Sequence, residues 1–376
     1  MDQKERLFYL DWVRIIVILL LVPFHSAVTF TVHGDGFIKY PQHVRSLEYF
    51  LWFLSIWIMP ALFLVSGIAA YHALQFRTAA EYARERRSKL LLPLLAGLLL
   101  VCPPMAYLRA LYMGTFQGSF LRFYPHFFSE GPYPQGNFNW GHFWFLAYLF
   151  VFTLIMRPLF ARARREGLRQ GLVKASLVLE RGPSIYVVAI PLMLTETILR
   201  PHFPGLQNLV WDWANFVLYL VLVFYGFVFA VNNGILDNIY RIRLFSLCFG
   251  IVLFAVAVAW RVSGVARSMA PVFPAYNVLM VFAWVFALMG YARQWLNRKS
   301  GLHTYLNTAS FPAYVFHFLP ITATAYLIAH SDVSPWLKYA LTVLLAYPLT
   351  FAIYECVRRV PVLRSLFAIR AGRRGV

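Results

Sequence analysis

Apolar runs of about 20 residues recur along the whole chain, and this recurrence limits the possible folds more than any other feature. A helix of about 20 apolar residues is long enough to cross the hydrocarbon core of a bilayer. We predict ten such helices at residues 10–31, 48–73, 89–111, 142–160, 184–200, 212–231, 243–261, 272–292, 304–329 and 336–357. The expected fold is therefore an all-α polytopic membrane protein with about ten transmembrane helices.

The composition supports this fold and excludes an ordinary soluble enzyme. Hydrophobic residues make up 60% of the chain, charged residues only 13%, and the mean hydropathy is +0.62. A typical soluble domain has about 25% charged residues. We therefore expect residues 1–376 to form a single domain that is integral to the inner or plasma membrane.

The distribution of positive charge predicts the orientation of the helices. The net charge is +19, and most Lys and Arg residues follow every second predicted helix, with a short basic tail at 358–376. Basic loops stay in the cytoplasm, which predicts that both termini and the tail are cytoplasmic. This pattern suits anionic lipid head groups, so we expect the lipid bilayer and no nucleic acid as partner.

Two ionisable residues in the first predicted helix, Arg14 and His25, stand out. A charge at the centre of a bilayer costs about 2.5–3.5 kcal/mol. Their spacing puts them on one helix face, about 16 Å apart. Taken alone, Arg14 is explained as an arginine that snorkels to the membrane interface, and His25 as a histidine that packs between helices. Their position on a shared helix face favours a functional site formed by the pair.

Five short segments along the chain resemble motifs of acyltransferase family 3, which are integral-membrane O-acyltransferases. They are YLDWVR at 9–14 with His25 after a further ten residues, LVSG at 64–67, RRSK at 86–89 before Pro93, HFWFL at 142–146 and FPAYVFH at 311–317. Within the family, the run VCPP at 101–104 and HFWFL are most similar to a subgroup that succinylates periplasmic glucans. Ile68 departs from the pattern, since many relatives have an aromatic residue there.

The resemblance implies an acyltransferase that uses acyl-CoA as donor substrate, has no bound cofactor and acylates a hydroxyl of a glycan or similar acceptor. His25 is the expected catalytic residue, because an imidazole can take a proton at neutral pH. It either activates the acceptor hydroxyl directly or carries the acyl group transiently, and this alternative stays open. The expected acyl-CoA-binding residues are Arg14, Ser66, Gly67, Arg86, Arg87 and Lys89. The acyl group, whether acetyl, succinyl or longer, stays open. The roles of these residues also have alternatives. Ser66 and Gly67 either allow close helix packing or line a passage for the donor. The arginines and the lysine either bind the phosphates of CoA or only set the membrane topology.

Other polar positions have weaker interpretations. His317 lies within the ninth predicted helix and is a further site candidate, whereas His142, near a helix end, is expected at the membrane interface. Glu196 either orients His25 or caps a helix end at the interface. The histidines show no metal-ligand spacing, so no metal site is expected.

The segment 112–141 is long, aromatic and poor in charge. We expect it to be a structureless loop that serves either as a lid or sugar-stacking platform, or as an interfacial aromatic belt.

A transporter or flippase of a glycan or small polar substrate is the main alternative function, because polar residues on membrane helices also mark transport pathways. The sequence shows no pair of broken, Gly-interrupted helices in its two halves and no chain of acidic residues for ion coupling. A scaffold role would leave Arg14 and His25 unexplained.

Overall fold

The computed structural model describes residues 7–32, 34, 36–133, 135–162, 165–265 and 270–369. These residues are predominantly helical, and the described ranges contain one isolated bridge, Pro132 with Phe138, and no β-strand. The α-helices are α1 Phe8–Val28, α2 Arg45–Leu74, α3 Ala79–Arg86, α4 Leu92–Leu100, α5 Cys102–Tyr112, α6 Phe120–Ser129, α7 Trp144–Arg162, α8 Glu166–Ser176, α9 Ala189–Leu199, α10 Trp213–Val231, α11 Asn233–Arg241, α12 Arg243–Val262, α13 Phe273–Leu296, α14 Gly301–Phe316, α15 Phe318–Ile328, α16 Pro335–Val357 and α17 Pro361–Leu366. One π-helical turn, Arg87–Leu91, separates α3 from α4, and 3₁₀ turns cover Gly141–Phe143, Leu177–Glu180 and Gly182–Val188.

The predicted set of membrane-spanning helices is confirmed in the described part of the chain. Nine helical segments are long and apolar enough to cross a bilayer. Their bounds are Phe8–Val28, Arg45–Leu74, Ala79–Tyr112, Gly141–Arg162, Gly182–Leu199, Trp213–Val231, Arg243–Val262, Phe273–Leu296 and Pro335–Val357. Together α14 and α15 are also long and apolar enough to form a tenth span, and they are bent by 52° where they meet. The protein is therefore a multi-pass membrane protein.

The chain divides into two compact units, each built from several separate stretches. The first unit contains Met1–Val17, Phe53–Glu85 and Val151–Ser300, and the second contains Ile18–Trp52, Arg86–Phe150 and Gly301–Val376. In the first unit, α13 packs against both α9 and α12. In the second unit, α15 packs against α5 and α16.

The segment that follows α1 folds back onto the second unit. The hydroxyl of Tyr40 donates a hydrogen bond to the carbonyl of Ala325 at 2.5 Å, and the ring of Tyr40 meets that of Phe30 edge-on. Burial raises the pKa of the Tyr40 phenol, so this hydroxyl keeps its proton and remains a donor. The interaction ties the end of α1 to α15.

The expectation that 112–141 is structureless is wrong, because the segment contains α6. Phe123 and Phe127 on this helix are fully buried among aromatic neighbours, whereas Leu121 is 82% exposed and Phe128 is also exposed. Such a two-sided helix is typical of a segment that lies in the membrane interface. The arrangement favours the interfacial alternative, since the buried rings are not available to stack on a sugar.

The C-terminal segment contains a short helix. Within the stretch predicted as a basic tail, α17 occupies Pro361–Leu366, and the ring of Phe367 packs against Phe316. Residues 370–376, with their three arginines, lie outside the described residues.

Candidate active site

His317 lies at the bend between α14 and α15, within the second unit. Pro320 lacks the N–H that would otherwise bond to the carbonyl of Phe316, and a missing bond of this kind is a common cause of a sharp helix bend. His317 stands between the two helices and is 1% exposed. The sequence signal of the bend is thus a proline three residues after the histidine.

Three imidazoles meet at this bend, all of them in the second unit. The ring centroid of His317 lies 5.2 Å from that of His25 on α1 and 4.8 Å from that of His142, which precedes α7. His25 also stacks on Phe318, with ring centroids 4.3 Å apart. His142 and His317 are buried, whereas His25 is partly exposed. The cluster thus has one histidine that the surrounding protein does not fully enclose.

Backbone carbonyls near the bend fix two of the three rings. Nδ1 of His317 lies 2.7 Å from the carbonyl oxygen of Tyr314, and Nε2 of His142 lies 3.0 Å from that of Val315. The hydroxyl of Tyr314 in turn donates to the carbonyl of His142. These bonds connect the start of α7 to the end of α14, so the two rings are held by the same few peptide groups.

Each imidazole keeps one nitrogen that is buried and has no hydrogen-bond partner among the described residues. These atoms are Nδ1 of His25, Nδ1 of His142 and Nε2 of His317. Buried polar atoms are nearly always paired in folded proteins, and unpaired ones need a specific explanation such as catalysis. Neutral imidazoles can pass and hold protons, so proton transfer is the chemistry that this cluster can perform.

The expectation that His142 is interfacial is wrong. Its side chain is 4% exposed because it packs beneath Tyr314 and beside His317. Hydropathy alone places residue 142 at the end of an apolar run, which does not distinguish burial from exposure. The signal that could have found it is its position as the first residue of the HFWFL motif.

Arg14 belongs to the first unit, although α1 is one continuous helix that also carries His25. The Arg14 side chain is 37% exposed and donates a hydrogen bond to Asp11 at 3.1 Å. A guanidinium at this degree of exposure can bind an anionic group. The local geometry is thus compatible with a phosphate-binding role.

Gly67 lies at a close approach of two helices of the first unit. A Cβ atom added there would overlap the carbonyl oxygen of Val223 and lie 2.9 Å from the amide nitrogen of Phe227. Gly226 on α10 makes the reciprocal approach to the carbonyl of Leu64 on α2. These contacts favour the packing interpretation of Gly67, while the neighbouring Ser66 is partly exposed.

The basic segment at 86–89 crosses from the end of α3 into the π-helical turn. Arg87 is exposed, and Arg86 and Lys89 are partly exposed. π-helical turns are rare and occur frequently at functional sites. The three side chains lie in the second unit and are accessible to an anion.

Glu196 is paired with an arginine of its own helix end. The guanidinium of Arg200 donates to both carboxylate oxygens of Glu196 at 2.8 Å and to the side-chain oxygen of Asn215 at 2.9 Å. Glu196 is 4% exposed, and all three residues belong to the first unit. This bidentate pairing favours a structural role at the end of α9 over the alternative of orienting His25.

The described ranges contain no group of three or more His, Cys, Asp or Glu side chains arranged to hold a metal ion.

Comparison with known proteins identifies the family. The model of the acyltransferase family 3 domain matches residues 7–355. Glucans biosynthesis protein C from Escherichia coli strain K12 is 22% identical over 97% of this chain and 94% of its own length. The same values hold for the proteins of that name from Escherichia coli O139:H28 and Shigella dysenteriae serotype 1. No solved structure matches the chain. The chain belongs to acyltransferase family 3 and is a multi-pass integral membrane O-acyltransferase.

Proposed function

We propose that this enzyme transfers an acyl group from cytoplasmic acyl-CoA to a hydroxyl of a glycan on the opposite side of the inner membrane. The similarity to glucans biosynthesis protein C over nearly the whole chain supports a glucan as the acceptor class. The observation that carries the catalytic part of the proposal is the cluster of three imidazoles, each with one buried nitrogen that has no partner within the described ranges.

In this mechanism His25 is the general base. Its imidazole takes the proton from the acceptor hydroxyl as the oxygen attacks the thioester carbonyl carbon. The resulting tetrahedral intermediate collapses, the carbon–sulfur bond breaks, and the proton on His25 passes to the leaving thiolate. The products are an ester on the acceptor and free CoA thiol. Of the three histidines only His25 is partly exposed, which supports its choice as the residue that meets both substrates.

Basic residues near the cytoplasmic ends of the helices would bind the donor. Guanidinium groups pair with phosphates through two parallel hydrogen bonds, and ammonium groups contribute point charge. The exposure of Arg14, Arg86, Arg87 and Lys89 supports this role. Ser66 remains a candidate neighbour of the donor, whereas the close helix contact at Gly67 supports a packing role for that residue.

A transporter is not favoured, because the family to which the chain belongs is one of acyltransferases. Transport and acyl transfer also differ in their products. Transfer consumes the thioester and leaves an ester on the acceptor, whereas transport leaves both molecules chemically unchanged.

The test is acyl transfer by the purified protein in proteoliposomes, with acetyl-CoA and succinyl-CoA offered separately and a linear glucan as acceptor. We expect free CoA and acylated glucan to form in equal amounts from one of the donors, with the product identified by mass spectrometry. Ester formation from a donor other than acyl-CoA would contradict the donor assignment. Movement of unmodified glucan across the membrane, with no loss of thioester, would contradict the whole proposal.

A further inference from the structure

The carbonyl contacts determine which nitrogen carries the proton in two of the three imidazoles. A carbonyl oxygen can only accept a hydrogen bond, so the ring nitrogen that faces it must carry the proton. Nδ1 of His317 faces the Tyr314 carbonyl at 2.7 Å, and Nε2 of His142 faces the Val315 carbonyl at 3.0 Å. As neutral rings, His317 therefore has its lone pair on Nε2 and His142 has its lone pair on Nδ1.

The lone pair of His317 needs a donor, because a buried acceptor without a hydrogen bond destabilises the fold. Nε2 of His317 is buried and has no partner among the described residues. Nδ1 of His25 is likewise buried and unpartnered. The two rings lie 5.2 Å apart between centroids with an angle of 40° between their planes. A centroid separation of this size allows two ring nitrogens that face each other to lie about 3 Å apart, the length of a hydrogen bond.

Among the described residues, one of the rings packed against His25 offers a polar atom. The ring contacts of His25 in the second unit are with Phe24, His317 and Phe318. The two phenylalanines fix the plane of the His25 ring but cannot bond to it through a polar atom. His317 is therefore the neighbour that can select which His25 nitrogen carries the proton.

We propose that His317 is a positioning residue, which accepts a hydrogen bond from Nδ1–H of His25 and leaves the lone pair of His25 on Nε2. The inference rests on the proposed function, in which His25 is the base. In a catalytic triad a carboxylate holds the histidine in this tautomer. Here a neutral imidazole, itself fixed by the Tyr314 carbonyl, takes that place. No proton leaves His25 Nδ1 during the reaction, and Nε2 alone gains and loses one.

The kinetic test compares two substitutions of His317. In His317→Gln, the side-chain carbonyl oxygen can accept a hydrogen bond near the position of Nε2, whereas His317→Phe keeps the ring size without an acceptor. We expect kcat of His317→Phe to fall about 100-fold, within the range of general acid–base effects, with KM for the donor unchanged. His317→Gln should recover at least about tenfold of that loss. Equal kcat values for the two variants would overturn the proposal.

A spectroscopic test does not depend on turnover. ¹⁵N-histidine NMR of the protein in lipid reports which ring nitrogen is protonated, and the His25 signals are those missing in His25→Ala. In the wild type we expect His25 to be protonated at Nδ1. In His317→Phe we expect a shift towards the Nε2-protonated form, whereas His142→Phe should leave the His25 tautomer unchanged.

The outcomes separate this inference from the proposed function. An Nε2-protonated His25 in the wild-type protein overturns the positioning role even if neither His317 variant folds. The same holds if the His25 tautomer follows His142 instead of His317. If His25→Ala transfers acyl groups at the wild-type rate, the proposed function fails whatever the tautomer. If His25→Ala is inactive while the tautomer is independent of His317, only the positioning role fails.

Discussion

At the scale of single residues, the buried polar groups of this protein fall into two kinds. Glu196 has both carboxylate oxygens bonded to Arg200, which also bonds to Asn215. His25 and His317, in contrast, each keep a buried nitrogen that has no hydrogen-bond partner in the part of the chain that the structure describes. A satisfied group stabilises the fold, whereas an unsatisfied one is a cost that function can explain. This contrast supports a structural role for Glu196 and the proposed roles of His25 as the base and of His317 as the residue that positions it.

The substitution Glu196→Gln tests this assignment. It removes the negative charge opposite Arg200, and we expect the free energy of unfolding to fall by about 3 kcal/mol. This value is at the lower end of the range for breaking a buried ion pair, because Arg200 is partly exposed. The matched control Glu166→Gln breaks an exposed pair with Arg169 and should leave the unfolding temperature nearly unchanged, because water screens that pair. Thermal unfolding in detergent measures both. A stability of Glu196→Gln equal to that of the control, or loss of transfer by fully folded Glu196→Gln, would contradict the structural role.

The sequence could predict some of these residues but not their partners. His25 stands out because an ionisable group within an apolar run is costly. His142 does not, because its burial depends on α14, more than 150 residues further along the chain. The tautomers of His142 and His317 depend on where the carbonyls of Tyr314 and Val315 lie, and no sequence pattern encodes that position.

At the scale of the elements, two local features of the helices determine where side chains lie. In the first unit, Gly67 and Gly226 let α2 and α10 approach until backbone meets backbone. In the second unit, the bend between α14 and α15 exposes peptide carbonyls to the imidazoles. Small residues at helix interfaces are the usual means of close packing in membranes.

The glycine contact gives a prediction for stability. In Gly67→Ala the new methyl group collides with the backbone of α10, which cannot move like a flexible side chain. We expect a loss of about 1–3 kcal/mol from overpacking. The control is Gly171→Ala in α8, where no described atom lies within 4 Å of the added Cβ. That control should be neutral or up to about 1 kcal/mol more stable, since alanine favours a helix over glycine. Equal unfolding temperatures for the two variants would refute the close contact.

The helix bend gives a prediction for activity. Pro320→Ala restores an N–H that can bond to the carbonyl of Phe316, so the helix can straighten and move His317 away from His25. We expect the transfer rate to fall at least about tenfold, because small displacements of catalytic groups have large effects. Pro348→Ala makes the same change within the continuous helix α16 and should keep its activity. A steady-state assay with both proteins checks this, and an unimpaired Pro320→Ala would show that the bend is not required.

The elements were predictable to different degrees. The ten spans follow from apolar length, which is a strong signal because the bilayer thickness is fixed. The bend was not predictable, because Pro23, Pro60 and Pro348 lie inside helices that remain continuous. Helix α6 was missed because its aromatic residues and Pro125 are typical of a loop, whereas burial of Phe123 and Phe127 stabilises it as a helix.

At the scale of the whole molecule, the charge pattern predicts that the proposed donor and acceptor reach the enzyme from opposite sides of the membrane. The basic segments, including α8 with Arg169 and Lys174, should face the cytoplasm, and the aromatic segment 112–141 should face outward. With ten spans, both termini then lie on the cytoplasmic side.

Cysteine labelling tests this orientation. The three native cysteines, Cys102, Cys248 and Cys356, are first replaced by alanine. Gln117→Cys and Gly171→Cys are then introduced singly, both at exposed positions. A membrane-impermeant maleimide should label Gln117→Cys in intact cells and Gly171→Cys only after the inner membrane is opened. Labelling of Gly171→Cys in intact cells would reverse the orientation and with it the assignment of the donor side.

The most direct test of the central claim is the rate at which folded His25→Ala transfers an acyl group to glucan at saturating acyl-CoA. We predict that this rate falls at least about 100-fold, because the base that accepts the hydroxyl proton is gone. His43→Ala, which alters an exposed histidine outside the spans, should retain the wild-type rate. A His25→Ala protein that transfers acyl groups as fast as His43→Ala would contradict the assignment of His25 as the base.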